Sequence, residues 1–162
     1  MSEAVKSGPP TEAGARIAPV RKSVFVACAP ERAFEVFTRQ LGSWWPLETH
    51  ALHPGEVREV IWEGREGGEV YEISTGGEKS HWATVLAWSP PVGLTIAWKV
   101  EPTAEASTEV EVRFTPEGDG TRVDLEHRGW ERLGAVGAET RESYGSENGW
   151  TMVMERYASS LG

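Results

Sequence analysis

The sequence predicts an α+β domain in which a curved antiparallel sheet of about seven strands surrounds a long C-terminal helix. Two short helices are expected after the first strand. Three observations support this class. Segments of alternating apolar and polar residues fill most of residues 54–130. Glycine and proline pairs separate these segments, as hairpin turns require. The last segment instead has apolar residues at helical spacing, which supplies one helix to cover the sheet.

The chain is predicted to begin with a tail. Residues 1–19 are rich in Gly, Pro, Ala and Glu and contain little that a core would bury, so we expect them to be disordered. A single domain is expected over residues 20–162. Its first strand is the short apolar run Ser23–Cys28, which is rich in β-branched residues.

A helix is predicted directly after this strand. Pro30 suits the first helical position, where its missing N–H costs nothing. The apolar residues that follow fall on one helical face; they are Phe34, Phe37 and Leu41. Gly42 ends this helix, and Ser43–Trp45 is expected to form a second short turn before Pro46.

Six further strands are predicted between this turn and residue 130. Their ranges are Val57–Trp62, Val70–Ser74, His81–Trp88, Leu94–Val100, Thr108–Thr115 and Arg122–Arg128. The alternation is clearest in the last two, where one face carries Val110, Val112, Phe114, Val123, Leu125 and His127. Such alternation is typical of an antiparallel sheet with one solvated face. Seven glutamates are placed mostly on that outer face: Glu59, Glu63, Glu66, Glu69, Glu72, Glu109 and Glu111.

The C-terminal segment is predicted to be the helix that covers the inner face. Its apolar residues are spaced at i, i+3, i+4, i+7 and i+11, which makes one continuous stripe. They are Trp150, Val153, Met154, Tyr157 and Leu161.

Charge and cysteine content restrict the partners and the location. The net charge is −9, and no run of Lys or Arg is present, so nucleic acid and anionic membranes are not expected partners.

The one cysteine, Cys28, excludes an intrachain disulfide. The N-terminal residues lack the apolar stretch of a signal peptide, and no apolar run has the length of a membrane span. We expect a cytoplasmic protein.

Several motifs in this order resemble a known family. They are "APERAFEVFTRQLGSWWP", "WATVLAWSPPVGLTIAW", "TEVEVRFTPEGDGTRVDLEHRGWERLG" and "YGSENGW". Together they resemble the activator-of-Hsp90-ATPase-like branch of the START/Bet v 1 (SRPBCC) superfamily over roughly residues 21–161. The resemblance implies a helix-grip fold with a cavity between sheet and helix. That superfamily includes lipid carriers, polyketide cyclases and co-chaperone domains, so the fold alone does not define the function.

Aromatic and polar residues that face the predicted cavity are the candidate ligand contacts. His127 is in phase with Val123 and Leu125, and Tyr71 is expected to point inward as well. A small-molecule site needs apolar walls with a few polar groups, here His127, Tyr71 and the indole N–H groups. A core histidine with satisfied hydrogen bonds is the alternative for His127. Of the pair Trp44–Trp45, one indole is expected to anchor the short helices to the sheet edge and the other to lie at the cavity mouth. The predicted ligand-binding set is Trp44, Trp45, Tyr71, Trp98, His127, Trp150 and Met154.

The sequence lacks known catalytic and metal-binding motifs. It has no nucleophile elbow, phosphate-binding loop or dinucleotide fingerprint. His50 and His53 lie in a loop without a third ligand at suitable spacing, so neither a metal nor a cofactor is predicted, and the directions of His50, His53 and His81 stay open.

We therefore expect a protein that binds a small hydrophobic or aromatic molecule, and an enzyme is the less favoured class. The first alternative is a regulator of an Hsp90-type chaperone that acts by protein contact. The second is an enzyme of the polyketide cyclase or dehydratase type, which needs a second titratable group beside His127.

Overall fold

The structure, a computed structural model, describes residues 16–99 and 106–161. The strands are β1 Val20–Val26, β2 Val57–Trp62, β3 Glu69–Ser74, β4 Lys79–Ser89, β5 Gly93–Trp98, β6 Thr108–Glu117 and β7 Gly120–Arg128. The α-helices are α1 Pro30–Phe37, α2 Gly137–Gly145 and α3 Met152–Ser160. Two 3₁₀ segments, Leu41–Ser43 and Trp130–Val136, and a π-helical turn, Glu147–Thr151, complete the order. None of the described helices is long and apolar enough to cross a membrane.

Most of the predicted disordered tail lies outside the described residues. The last part of it, residues 16–19, contacts the domain. The Ile17 N–H donates to the Glu131 carboxylate at 3.3 Å. The Arg141 guanidinium donates to the carbonyls of Ala18 and Pro19, each at 3.0 Å. Contacts with the domain therefore begin before residue 20.

The seven strands form one sheet in the order β1-β7-β6-β5-β4-β3-β2, and each neighbouring pair is antiparallel. Across β6 and β7 the register pairs Val110 with His127 and Val112 with Leu125, and all four side chains are buried. On the opposite face, Arg128 binds Glu111 at 2.8 Å. The alternation predicted for these two strands is therefore confirmed.

Strand β3 has the opposite phase to the one predicted. Val70, Glu72 and Ser74 are buried, whereas Tyr71 lies on the outer face with the Lys79 ammonium 4.2 Å from its ring centre. The prediction that Tyr71 points inward was wrong, and so was the placement of Glu72 on the outer face. Both phases of this strand contain apolar residues, and four hydrogen-bond donors surround the buried Glu72 carboxylate, which removes the usual cost of burying a charge.

The helices cover the inner face of the sheet. Phe34 of α1 packs on Phe114 of β6, with ring centroids 5.1 Å apart. Tyr157 of α3 is fully buried and donates its hydroxyl to the Ala33 carbonyl at 2.7 Å. Sheet, short helical segments and C-terminal cover together make the helix-grip α+β fold that the sequence predicted.

The C-terminal cover contains a further helix, α2, that the sequence analysis did not predict, and a break separates it from the predicted helix. Helix α2 ends at Gly145, and Gly149 has φ −99° and ψ −128°, which is not helical. A Cβ atom at residue 149 would collide with the carbonyl oxygen of Tyr144, so the close approach of these two backbone segments requires glycine. The break directs Trp150 toward the sheet, and α3 then continues with Val153, Met154 and Tyr157 buried.

Candidate functional site

A pocket of about 250 Å³ lies where the break between α2 and α3 faces the ends of β4 and β5. Four indoles form its walls: Trp45, Trp82, Trp98 and Trp150. We call this site the tryptophan pocket. The rest of its lining comes from His50, Ala51 and Leu52, from His81 and Lys99, and from Ser143, Tyr144, Asn148, Gly149 and Val153.

The four indoles contact one another without stacking face to face. The Trp45 ring lies 5.3 Å from that of Trp82, 6.2 Å from that of Trp98 and 5.9 Å from that of Trp150. The ring planes in these pairs meet at 49°, 41° and 81°. Tilted rings expose faces and edges to the space between them, which suits contact with a flat apolar guest.

Every indole N–H in these walls is already used inside the protein. The four hydrogen bonds are Trp45 to the His50 carbonyl at 2.7 Å, Trp82 to the Glu72 carboxylate at 2.8 Å, Trp98 to the Tyr144 hydroxyl at 3.1 Å and Trp150 to His127 Nδ1 at 2.9 Å. The expectation that these N–H groups would serve as polar contacts for a ligand is therefore wrong. Buried indoles need such partners, and here the partners fix each ring in place.

His127 faces inward as predicted but lies behind the pocket wall. Its Nδ1 accepts the Trp150 N–H, so the ring proton is on Nε2, which donates to Thr108 Oγ1 at 2.7 Å. The Thr108 hydroxyl in turn donates to the Trp98 carbonyl at 3.2 Å. Burial lowers the pKa of His127 to about 3, so the ring is neutral at physiological pH. His127 is thus a core histidine with both nitrogens satisfied, and it supports Trp150 and Trp98.

The other predicted site residues divide between core and surface. Trp44 donates its N–H to the Val36 carbonyl at 2.8 Å and packs on Tyr157 at 5.1 Å, so it anchors the short helical turn to α3 rather than to a sheet edge. Met154 is also buried, and Tyr71 lies on the outer face. Of the seven predicted residues, Trp45, Trp98 and Trp150 line the pocket, whereas Trp44, Tyr71, His127 and Met154 do not.

A buried carboxylate that the sequence analysis missed organises one side of the pocket. Glu72 is fully buried, and its Oε1 accepts the Leu52 N–H and the Trp82 N–H, both at 2.8 Å. Its Oε2 accepts the backbone N–H and the Nδ1–H of His53, both at 2.9 Å. Burial alone would raise the pKa of Glu72, but these hydrogen bonds outweigh it and hold the pKa below its ordinary value. The ionised carboxylate therefore fixes Trp82 together with residues 52 and 53.

The three histidines of undecided direction have three separate roles. The His53 ring lies between Glu72 at 2.9 Å and Glu78 at 3.2 Å, and its hydrogen bond to Glu72 is the main reason that its pKa is raised. His50 donates from Nε2 to the Asn148 carbonyl at 2.7 Å. His81 reaches the pocket edge, but its ring is directed to the outer face, where Nδ1 bonds Glu69 at 2.8 Å. His50 and His53 thus have different partners.

Comparison with known proteins gives one family and several structural relatives. Residues 27–162 match the family model described as "Activator of Hsp90 ATPase homolog 1-like protein". A search of curated protein sequences found no match.

Solved structures share the fold over most of their length. An "anthrahydroquino-Gama-pyrone synthase Txn09 complexed with SUM" is 36% identical, with 89% of this chain and 97% of that chain covered and a TM-score of 0.61. The self-sacrificing resistance protein CalC from Micromonospora echinospora is 28% identical, with 89% and 94% covered and a TM-score of 0.68. The Aha1 dimer from Colwellia psychrerythraea is 14% identical, with 90% and 96% covered and a TM-score of 0.61.

Proposed function

We propose that this chain, which belongs to the activator of Hsp90 ATPase homolog 1-like family, binds a small planar aromatic molecule in the tryptophan pocket. One observation carries the proposal. Four indoles border the pocket, and all four of their N–H groups bond to partners inside the protein. The walls therefore offer π-faces and apolar edges, which recognise a flat apolar body.

The volume and the charge of the pocket restrict the class of ligand that it can bind. Its volume of about 250 Å³ is slightly below the roughly 300–1,000 Å³ of typical small-molecule sites, which suits a compact ligand with one exposed edge. None of its described lining residues is Asp or Glu, although the chain has 25 acidic residues. A cationic ligand is disfavoured, because an aromatic site for a cation gains most from a nearby carboxylate.

The name of one relative supports a polycyclic aromatic ligand. Txn09, at 36% identity, is named as a synthase of an anthrahydroquinone γ-pyrone, which is a flat polycyclic molecule. CalC, at 28% identity, is named as a resistance protein. We infer that the ligand of this chain is likewise a fused-ring compound, and the single Cys28 is consistent with a role in the cytoplasm.

A fluorescence titration tests this proposal. The probe is 1,8-dihydroxyanthraquinone, a flat tricyclic molecule, and native mass spectrometry verifies the stoichiometry. We expect saturable quenching of tryptophan emission in the wild type. Trp98→Ala removes one wall and is expected to weaken the affinity up to about tenfold, as the loss of one aromatic contact implies.

Trp88→Ala is the matched control, because Trp88 is half-buried like Trp98 but packs on Phe34 at 4.9 Å, away from the pocket. Its affinity for the probe is expected to stay within about twofold of the wild-type value. Equal weakening by both variants, or the absence of saturable quenching in the wild type, would contradict the proposal.

A second candidate function is catalysis of ring closure on such a molecule. The identity to a named γ-pyrone synthase favours it. His127 is disfavoured as the general base of such a reaction. Both of its ring nitrogens are occupied, by Thr108 and Trp150, and neither partner is titratable. A suitable assay follows 1-(2-hydroxyphenyl)-1,3-butanedione, whose phenol oxygen attacks the distal ketone with loss of water to give a γ-pyrone. A cyclisation rate above that in buffer supports catalysis. A rate equal to that in buffer leaves ligand binding as the one remaining role of the pocket.

The chaperone alternative rests on the family description and on a fold shared with the Colwellia Aha1 dimer at 14% identity. It predicts that the protein stimulates the ATPase of an Hsp90-type chaperone. An ATPase assay with the cognate chaperone tests it directly, and a rate equal to that of the chaperone alone would exclude it.

A further inference from the structure

We propose that the segment of residues 46–56 forms a movable wall of the tryptophan pocket that is anchored at its C-terminal end, and that the hydrogen bond between His50 and Asn148 is the contact that opens for ligand exchange. This inference rests on the proposed function, since it concerns the same pocket. It makes His50 a positioning residue, which acts through the two walls that it joins rather than by touching the ligand's reactive atoms.

The C-terminal end of this segment is held more firmly than its middle. At its C-terminal end, Leu52 and His53 make three hydrogen bonds of 2.8–2.9 Å to the fully buried Glu72. The Glu56 carbonyl also accepts the Thr75 N–H at 2.8 Å. Bonds to a buried carboxylate are costly to break, because the charge would lose its partners away from water. This end is therefore the fixed one.

The middle of the segment is joined to the C-terminal cover by one exposed hydrogen bond. His50 Nε2 donates to the Asn148 carbonyl at 2.7 Å, and Nδ1 accepts from the Thr49 hydroxyl at 2.6 Å. Since a carbonyl can only accept, the proton on Nε2 is required. Water can replace an exposed bond of this kind when it breaks, so its net contribution is small compared with the Glu72 contacts.

This bond also sets the distance between two of the pocket walls. The His50 carbonyl accepts the Trp45 N–H at 2.7 Å, so the position of His50 contributes to the position of the Trp45 ring, which also packs on Trp44 and Trp82. Asn148 lies two residues before Trp150, in the turn where Gly149 departs from helical geometry. Breaking the His50–Asn148 bond therefore frees the Trp45 wall to move away from the Trp150 wall, whose ring centres are 5.9 Å apart.

Stopped-flow mixing of the full chain with 1,8-dihydroxyanthraquinone tests the proposal. His50→Ala is expected to raise the association and dissociation rate constants together by about three- to tenfold, the range that one net hydrogen bond supports. Kd stays within about twofold, because the bond is present in both the free and the bound protein. His50→Gln restores an N–H donor at nearly the same place and is expected to return both rates toward wild type. Glu48→Ala, an exposed change in the same segment, is the control and leaves both rates unchanged.

A readout without ligand separates this inference from the proposed function. With 5-fluorotryptophan incorporated, the ¹⁹F resonances of Trp45 and Trp150 are expected to shift or broaden in His50→Ala and to recover in His50→Gln. Unchanged resonances together with unchanged rates would overturn the movable wall even if the probe binds well. A rise in the dissociation rate alone would also overturn it, since it would mean that His50 contacts the ligand directly. If no probe binds the wild type, the proposed function fails, and the fluorine spectra still decide whether His50 positions the two indoles.

Discussion

The inner face of the sheet carries two aromatic clusters that are built on different principles. The packed cluster consists of Phe34, Phe37, Trp62, Trp88 and Phe114, with ring centroids 4.9–6.4 Å apart. The tryptophan pocket has comparable ring distances. In the packed cluster the buried Trp62 N–H has no acceptor among the described residues, whereas each wall indole of the pocket has one.

The difference shows how a protein keeps a hollow between large apolar rings. Rings held by contact alone move together until no space is left, because every added contact gains dispersion and removes apolar area from water. Rings held by directional hydrogen bonds resist that movement, since closing the hollow would leave buried donors without partners. Thus Glu72, His127 and the Tyr144 hydroxyl are positioned to keep the pocket walls apart.

The largest expected effect comes from opening the packed cluster. Phe37→Ala removes a buried ring that contacts Tyr157 at 5.0 Å and Trp44 at 5.4 Å, and we expect the free energy of unfolding to fall by about 3–5 kcal/mol. Urea denaturation measures this change. The affinity of the remaining folded protein for the anthraquinone probe should stay unchanged. A loss below about 1 kcal/mol would show that this cluster is loosely packed.

The next largest effect is expected from Glu72→Gln, which changes the pocket cluster. An amide cannot accept all four hydrogen bonds that Glu72 receives, so at least one buried donor is left without a partner. We expect a loss of about 3 kcal/mol in the free energy of unfolding, and a weaker affinity for the probe because Trp82 is released. Glu59→Gln, at an exposed site on β2, is the control and should change stability by less than about 0.5 kcal/mol. Equal effects of the two variants would show that the Glu72 hydrogen bonds are unimportant.

The pH dependence of the free energy of unfolding tests whether His127, behind the pocket, is buried in its neutral form. The pKa of His127 falls from an ordinary value of 6.5 to about 3 on folding, so the unfolded chain binds a proton that the folded chain excludes. Its contribution is fully present above pH 6.5 and is lost as pH falls toward 3, by up to about 1.4 kcal/mol per pH unit. Below the ordinary pKa of glutamate, Glu72 adds a loss of the same sign, since its pKa is also lowered.

Denaturation at a series of pH values, compared between wild type and His127→Gln, isolates the histidine contribution. The wild-type curve should fall more steeply between pH 6.5 and 4. His53 acts in the opposite sense, because its raised pKa gives stability that is lost at higher pH. Parallel curves for the two proteins would show that His127 is not buried in its neutral form.

The smallest effects come from a matched pair of indole replacements. Trp150→Phe deletes an N–H that His127 Nδ1 needs, and we expect it to cost about 1–2 kcal/mol more than Trp62→Phe, which deletes an N–H without an acceptor. Each variant loses the same ring volume, so the cavity terms largely cancel. Thermal denaturation of the two variants measures the difference. Equal costs would mean that the hydrogen bonds of the pocket indoles add nothing to their packing.

Where one strand face is predominantly apolar, the sequence predicted the fold well. Val110, Val112 and Phe114 on β6, and Val123, Leu125 and His127 on β7, leave only one possible inner face, and the structure has that face buried. In β3, Val70 and Ile73 fall on opposite faces, so the pattern could not identify the buried one. The decisive factor, donors from Leu52, His53 and Trp82 converging on Glu72, comes from segments distant in sequence.

The candidate site was less predictable than the sheet. The apolar stripe from Trp150 to Leu161 correctly indicated a helical cover, but it does not reveal α2 or the break that precedes Trp150. The glycines in "YGSENGW" were the available signal, because Gly149 alone permits the approach to the Tyr144 carbonyl. The role of His50 depends on a loop conformation, and the sequence contains no local pattern that specifies it.

The close spacing of the pocket indoles has an optical consequence. Five pairs among Trp45, Trp82, Trp98 and Trp150 have ring centres 5.3–6.2 Å apart and are mutually tilted. Transition dipoles at such short range couple, so an absorbed photon is shared across the group instead of residing on one ring. The circular dichroism of the folded chain is therefore expected to contain bands that belong to the group as a whole, and a guest that enters between the rings is expected to alter them without an added label.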